Sequence, residues 1–248
     1  MKLRLAICAI ALVASACSPA PAPETAGADA GTVPAAKRMP LPDCGAVEAK
    51  DAGADGWTHP DCRLMFADQS GMAIEARYTP AEDDSTQINV QVVAPGDATL
   101  QTIDERMGNT FNGPSLEDFD KDGKLDILLP LETGNVNTTW AAWRQLDAGK
   151  FVRVGEPSGV SIVKTASGYI ATAARSSANE WSISFYKLEG DALEPIATAD
   201  ITAEGEPDKI TGTTCDVTDD GGVAAAGLTV DTAKAQFCAE SVVTEIFK

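Results

Sequence analysis

Histidine occurs once in this chain, at His59. A Ser/His/Asp relay would have to use that single imidazole, and no GxSxG elbow is present to carry its nucleophile. His59, in "GWTHPDC", therefore reads as a local structural residue. No CxxC pair exists and the cysteine spacings are long, so a zinc site is poorly supported. Basic residues are also scarce, 19 against 37 acids, for a net charge of -18. That deficit argues against binding nucleic acid, whose phosphates need a positive surface, and against docking on anionic lipid through the protein surface. It favours solubility, a basic partner or bound divalent cations. Aromatics make up 6% of the chain, but 44% of its residues are hydrophobic, enough for a core in one domain or two small ones. Neighbouring aspartates lie too close in sequence for the separated carboxylates of glycoside hydrolysis. The chain is expected not to be an enzyme.

The N-terminus "MKLRLAICAIALVASAC" combines Lys2 and Arg4 with an apolar run from Leu5 to Val13 and the small residues Ala14, Ser15 and Ala16. The run is too short to span a bilayer and reads as a secretory signal over residues 1–16. "ASAC" resembles a bacterial lipobox, although Leu is more typical than Ala14 at its first place. The resemblance implies a diacylated Cys17 as mature N-terminus. Ser18, where Asp would imply inner-membrane retention, suggests the outer membrane. Loss of the signal leaves 17 bases against 37 acids, a net charge of -20. Residues 18–43, "SPAPAPETAGADAGTVPAAKRMPLPD", are Ala/Pro-rich without an apolar period and read as a semi-extended tether. The expected plan is a lipid-anchored envelope protein whose domain, residues 44–248, faces the periplasm.

Four cysteines remain after Cys8 is discarded and Cys17 is lipidated: Cys44, Cys62, Cys215 and Cys238. An even count in an oxidising compartment implies disulfides. Three pairings are possible; the local ones, Cys44 with Cys62 and Cys215 with Cys238, are preferred. Each would staple one end of the domain, worth ~3 kcal/mol on the loop-entropy estimate.

The domain reads mainly as β. Short segments such as "AIEARY", "QINVQVVAP", "LDILLP", "KFVRVG" and "WSISFYKLE" are separated by "PGD", "NGP", "DAGK" and "EGD". This spacing suggests antiparallel hairpins in a sandwich or propeller-like arrangement. "TVDTAKAQFCAESVVTEIF" is the best helix candidate, with Asp231 as a possible cap; its Thr and Val content leaves strand open for its last part.

"DFDKDGKLDILLP" crowds Asp118, Asp120, Asp122 and Asp126 into nine residues. Counted from Asp118, these take the first, third, fifth and ninth places, with Gly123 sixth and the Lys124 carbonyl seventh, as in a calcium loop. Alternate side chains of a tight turn converge on one centre, Gly123 permits the sharp bend, and the Lys124 side chain is left to point outward. A cation would relieve the repulsion among four carboxylates. Leu129 holds the twelfth place, where a helix-loop-helix sensor has Glu, and the outgoing residues are strand-like, ending at Pro130. Asp104 or Glu117 could add oxygen. The other reading is a solvated acidic turn.

The loop resembles the "DxDxDGxxD" turns of FG-GAP and VCBS repeats, in which calcium pins a turn between strands. A wider stretch, residues 86–156, is similar to the calcium-binding, lysozyme-inhibitor-like lipoproteins that serve as immunity proteins against peptidoglycan hydrolases delivered by bacterial type IV secretion. Gln101, the Asp118–Asp126 turn, Trp140, Trp143, Lys150 and Phe151 occupy comparable places. The resemblance implies a β fold, calcium as cofactor and inhibition of a lysozyme-like enzyme. Such enzymes are commonly basic, which suits an acidic domain. Trp140 and Trp143, odd in spacing, should face opposite sides of a strand: one exposed for contact, or both packed. Arg144, Lys150 and Arg153 could supply a local basic patch for an acidic cleft, or be ordinary solubilising charges. The alternative function is a calcium-stabilised structural or adhesive envelope module.

Overall fold

In the computed structural model, the residues described are 40–53, 56–81, 85–147, 149–206 and 209–247. The expected signal, Cys17 and nearly all of the tether lie outside them. The fold is mainly β, with antiparallel sheets made largely from consecutive strands and two short helices near the C-terminus. A two-stranded ribbon, β1 (Lys50–Asp51) and β2 (Trp57–Thr58), precedes the first sheet. That sheet is a meander of β3 (Cys62–Met65), β4 (Ala73–Pro80), β5 (Thr86–Val93) and β6 (Thr99–Met107). The second orders β7 (Ser115–Glu117), β8 (Asp126–Thr133), β9 (Thr138–Asp147) and β10 (Lys150–Gly155) as β10-β9-β8-β7, with β11 (Ser158–Gly159) also on β9. The third runs in chain order through β12 (Ser161–Lys164), β13 (Ile170–Arg175), β14 (Glu180–Glu189), β15 (Ala192–Glu206) and β16 (Lys209–Asp219). The helices are α1 (Val230–Phe237) and α2 (Ser241–Thr244).

The period-2 geometry of the strands explains how these sheets stack. Ile127, Leu129, Ala141 and Phe151 of the second sheet pack with Ile74, Ile88, Val90 and Ile103 of the first. From the opposite face Leu128, Ala142 and Val154 pack with Ile162 and Ile170 of the third. The middle sheet is thus covered on both sides, and β8, buried from Asp126 through Pro130, needs an unbroken apolar run rather than an alternating one. The free face of the third sheet receives the helices: Phe185 and Phe237 stack with ring centroids 4.3 Å apart.

Two amide side chains stand in for strand pairing between sheets. Gln101 on β6 donates to the Phe151 carbonyl (2.9 Å) and accepts from the Phe151 N–H (2.7 Å). Asn137 does the same with Arg175, at 3.0 and 2.9 Å. The disulfides Cys44–Cys62 and Cys215–Cys238 form as expected, the first pinning a 3-10 turn to β3 and the second pinning the end of α1 to β16. Such bridges fit an oxidising envelope compartment. No helix among the described residues is long and apolar enough to cross a membrane.

Three local expectations are corrected. Strand β8 does not end at Pro130 but continues to Thr133. Proline lacks an N–H, and the β8–β9 register shifts by a bulge between Pro130 and Glu132, while β7 pairs only as far as Leu128. Thr229, not Asp231, caps α1: its hydroxyl accepts from the Thr232 N–H, and the Thr232 side chain returns the bond. The last part of the candidate helix is helical but separate, with Glu240 as the residue before α2. Glu240 is buried and accepts from the N–H groups of Ala166 (3.3 Å) and Ser167 (3.2 Å) and from the Ser167 hydroxyl, so this tertiary anchor sits where the helix breaks.

Candidate metal centre

Strands β7 and β8 pair from Ser115↔Leu128 to Glu117↔Asp126, so residues 118–125 form the connecting loop. Lys121 (φ 53°) and Gly123 (φ 88°) both take left-handed backbone, which glycine adopts without steric cost. The carboxylates fold the loop onto themselves. Asp118 accepts from the N–H groups of Asp122 and Gly123, both at 3.0 Å, and Asp120 accepts from Asp122 N–H at 3.1 Å. Local side-chain-to-backbone bonds of this kind are why aspartate favours turns.

The turn brings carboxylate oxygens of Asp118, Asp120 and Asp126 within 4.8 Å of one another, a cluster that could hold a metal ion. Asp126 exposes 0% of its surface and Asp120 2%. Asp126 accepts from Gln145 N–H (2.8 Å) and Phe119 N–H (3.3 Å). Burial pushes its carboxyl up to about 7; the nearby charges of Asp120 and Asp122 add to the rise, and the two N–H bonds oppose it. Two buried carboxylates facing a third oppose one another's charge, a repulsion that a cation would relieve.

Part of that charge comes from β9. Arg144 donates from Nε to Asp120 (2.5 Å) and from a terminal nitrogen to Asp122 (3.1 Å). Burial works against the guanidinium's charge, but the Asp120 bond and the surrounding carboxylates outweigh it and hold its pKa above the ordinary value. Lys124 does not point freely outward. Its ammonium reaches the Leu146 carbonyl (2.9 Å) and Asp122 (3.4 Å). Lys164 donates to the Asp120 carbonyl at 2.6 Å. Asp122 thus turns to Arg144 and Lys124 while the other three aspartates gather. Asp104 lies on β6, where it accepts from Asn89, and Glu117 is exposed beside Ser115.

Trp140 and Trp143 take opposite faces of β9, as their spacing requires, and both are half-buried: Trp140 packs between the second and third sheets, Trp143 between the first and second. The Trp143 indole donates to Glu105 (2.9 Å), and Arg153 donates to Glu105 (2.7 Å) and Glu156 (2.5 Å). Lys150 is exposed. Sequence reasoning missed Glu105, which meets both β9 and β10 from β6, and Arg144 as a loop residue; neither relation has a local sequence signal, since each joins residues more than 20 positions apart.

No family model matches the chain, and no curated protein does. Among solved structures it is similar to a Xanthomonas type IV secretion system related protein, with 12% identity over 70% of this chain and 95% of that one and a TM-score of 0.37. Likeness of that degree does not establish a common fold.

Proposed function

We propose that the Asp118–Asp126 loop binds one calcium ion, and that the domain it stabilises is an envelope-anchored binding protein that inhibits a peptidoglycan hydrolase. The observation that carries the metal reading is the burial of Asp120 and Asp126 beside Asp118. Hard carboxylate oxygens suit calcium. Asp118, Asp120 and Asp126 would be its principal ligands, with Asp122 and the Lys124 carbonyl completing the set. The bound ion would neutralise charge and pin β7 to β8, a structural role.

The inhibitory reading rests on the lipoprotein plan of the N-terminus and on the mature charge of -20, which would steer a basic enzyme toward the domain. The residues proposed for contact are Lys150, which is exposed, with Trp143 and Arg153 on one face of the second sheet and Trp140 and Arg144 on the other. One specific observation favours the second reading, a calcium-stabilised structural or adhesive module. Arg144 and Arg153 are already bonded to carboxylates of their own chain and would have to exchange them for a partner's. Titration of the protein into cell-wall lysis assays with a secreted peptidoglycan hydrolase and with ordinary lysozyme, paired with calorimetry, separates the two. Micromolar inhibition that weakens with salt supports the inhibitor. No slowing of either enzyme and no binding heat leaves the structural module.

A further inference from the structure

A cleft of about 330 Å³ opens among residues 44–49, residues 57–62, Tyr78 near the end of β4 and residues 111–114. Four aromatic rings line it: Trp57, His59, Tyr78 and Phe111. They stand in two touching pairs, Trp57–Phe111 with centroids 5.6 Å apart and His59–Tyr78 stacked at 4.9 Å. The Cys44–Cys62 bridge forms another part of the wall, so the cleft is covalently braced. A second cavity of about 310 Å³ shares Trp57, His59 and Tyr78. Phe111 leaves 48% of its surface exposed, a large apolar area held open beside an aromatic cavity.

The electrostatics of the lining have one sign. Among the described residues, Glu48 lines the cleft and neither lysine nor arginine does. Asp61 stands behind Tyr78, accepting its N–H at 3.0 Å. His59 meets the Thr110 carbonyl through Nε2 at 2.8 Å; a carbonyl only accepts, so Nε2 carries the proton and Nδ1 is left as an acceptor. Burial lowers the His59 pKa against that bond, so the imidazole is neutral at pH 7. Aromatic faces are negative and attract a cation within about 6 Å, most of all where water is excluded. An anion would face Glu48 and the ring faces unfavourably, and a neutral ligand would leave the carboxylate unused.

We propose that this cleft is a binding site for an organic ammonium group, carried either by a small quaternary amine or by a lysine side chain of a basic protein. None of its lining residues belongs to the aspartate loop, so it stands or fails independently of calcium.

The test uses the mature protein in a non-ionic detergent with three probes: choline, N-acetyl-lysinamide, and 3,3-dimethylbutan-1-ol, which has choline's shape without its charge. Binding is followed by the Trp57 indole N–H resonance, assigned with Trp57→Phe. At least one ammonium probe should bind saturably, and the alcohol roughly tenfold more weakly than choline. Phe111→Ala and Glu48→Gln, both at exposed positions that should leave the fold intact, are each expected to weaken the ammonium probe about two- to five-fold. Tighter choline assigns a quaternary head group; tighter lysinamide assigns a protein side chain. The proposal is overturned if the alcohol binds as well as choline, if neither ammonium probe saturates, or if Phe111→Ala leaves the affinity unchanged.

Discussion

Replacing Asp126 with Asn separates the cost of its buried charge from the gain of a bound ion. Asp126 is fully buried, and its carboxyl titrates at about 7 rather than 3.8. That difference corresponds to roughly 4 kcal/mol against the charged form in the absence of metal. The sign follows from proton counting. Between about pH 4 and 7 the folded, metal-free protein holds a proton that the unfolded chain has released. Stability therefore falls as pH rises through this window and levels off above it. Asp126→Asn abolishes the titration. It also leaves an amide N–H₂ facing one of two backbone donors, Phe119 or Gln145, a cost of about 1–3 kcal/mol. In chelator at pH 7.5 the variant should be at least as stable as the parent, with a flat profile from pH 5 to 7.5. In 10 mM calcium the parent should gain ~3 kcal/mol for a dissociation constant near 10⁻⁴ M, or about 5–10 °C in Tm, and the variant almost nothing. Paired thermal melts give all four values. A parent insensitive to pH in chelator, or a variant that loses as much stability in chelator as in calcium, refutes the reasoning.

Other outcomes follow from single contacts. Gln101→Ala removes both bonds that hold Phe151 to β6 and should cost about 1–3 kcal/mol in urea melts, with or without calcium. Arg144→Gln strips the buried Asp120 of its ion pair; discounted for the partly exposed guanidinium, the loss should be ~2 kcal/mol in chelator and visibly smaller in calcium. Cys17→Ser should release the protein from the membrane fraction, and mass spectrometry of the parent should find a diacylated Cys17. An unmodified Cys17, or a variant still attached, rejects the anchor.

What was legible in the sequence was what neighbours in the chain decide. The Asp118–Asp126 spacing and Gly123 announced a tight acidic turn because its bonds run between residues two to five positions apart. Strands and turn residues announced a β fold, and the odd spacing of Trp140 and Trp143 placed them on opposite faces. Long-range choices were not legible. That β8 would be buried on both faces depended on two other sheets closing over it. That Arg144 would fold back onto the loop depended on β9 lying beside β8. The break before α2 coincides with Glu240 binding the β12–β13 turn, more than 70 residues earlier. Gln101 was picked out by resemblance alone; its bidentate hold on Phe151 supplies the physical reason for an amide there.

The most direct test is calorimetric titration of calcium into chelator-stripped protein. A single site with a dissociation constant of about 10⁻⁴ M or weaker is expected, its affinity rising with pH through about 7 and levelling off above it as Asp126 gives up its proton, and its heat lost in Asp118→Asn. Absence of binding heat at millimolar calcium, together with a melting curve indifferent to chelator, would show that the loop is an arginine-braced acidic turn and not a metal site.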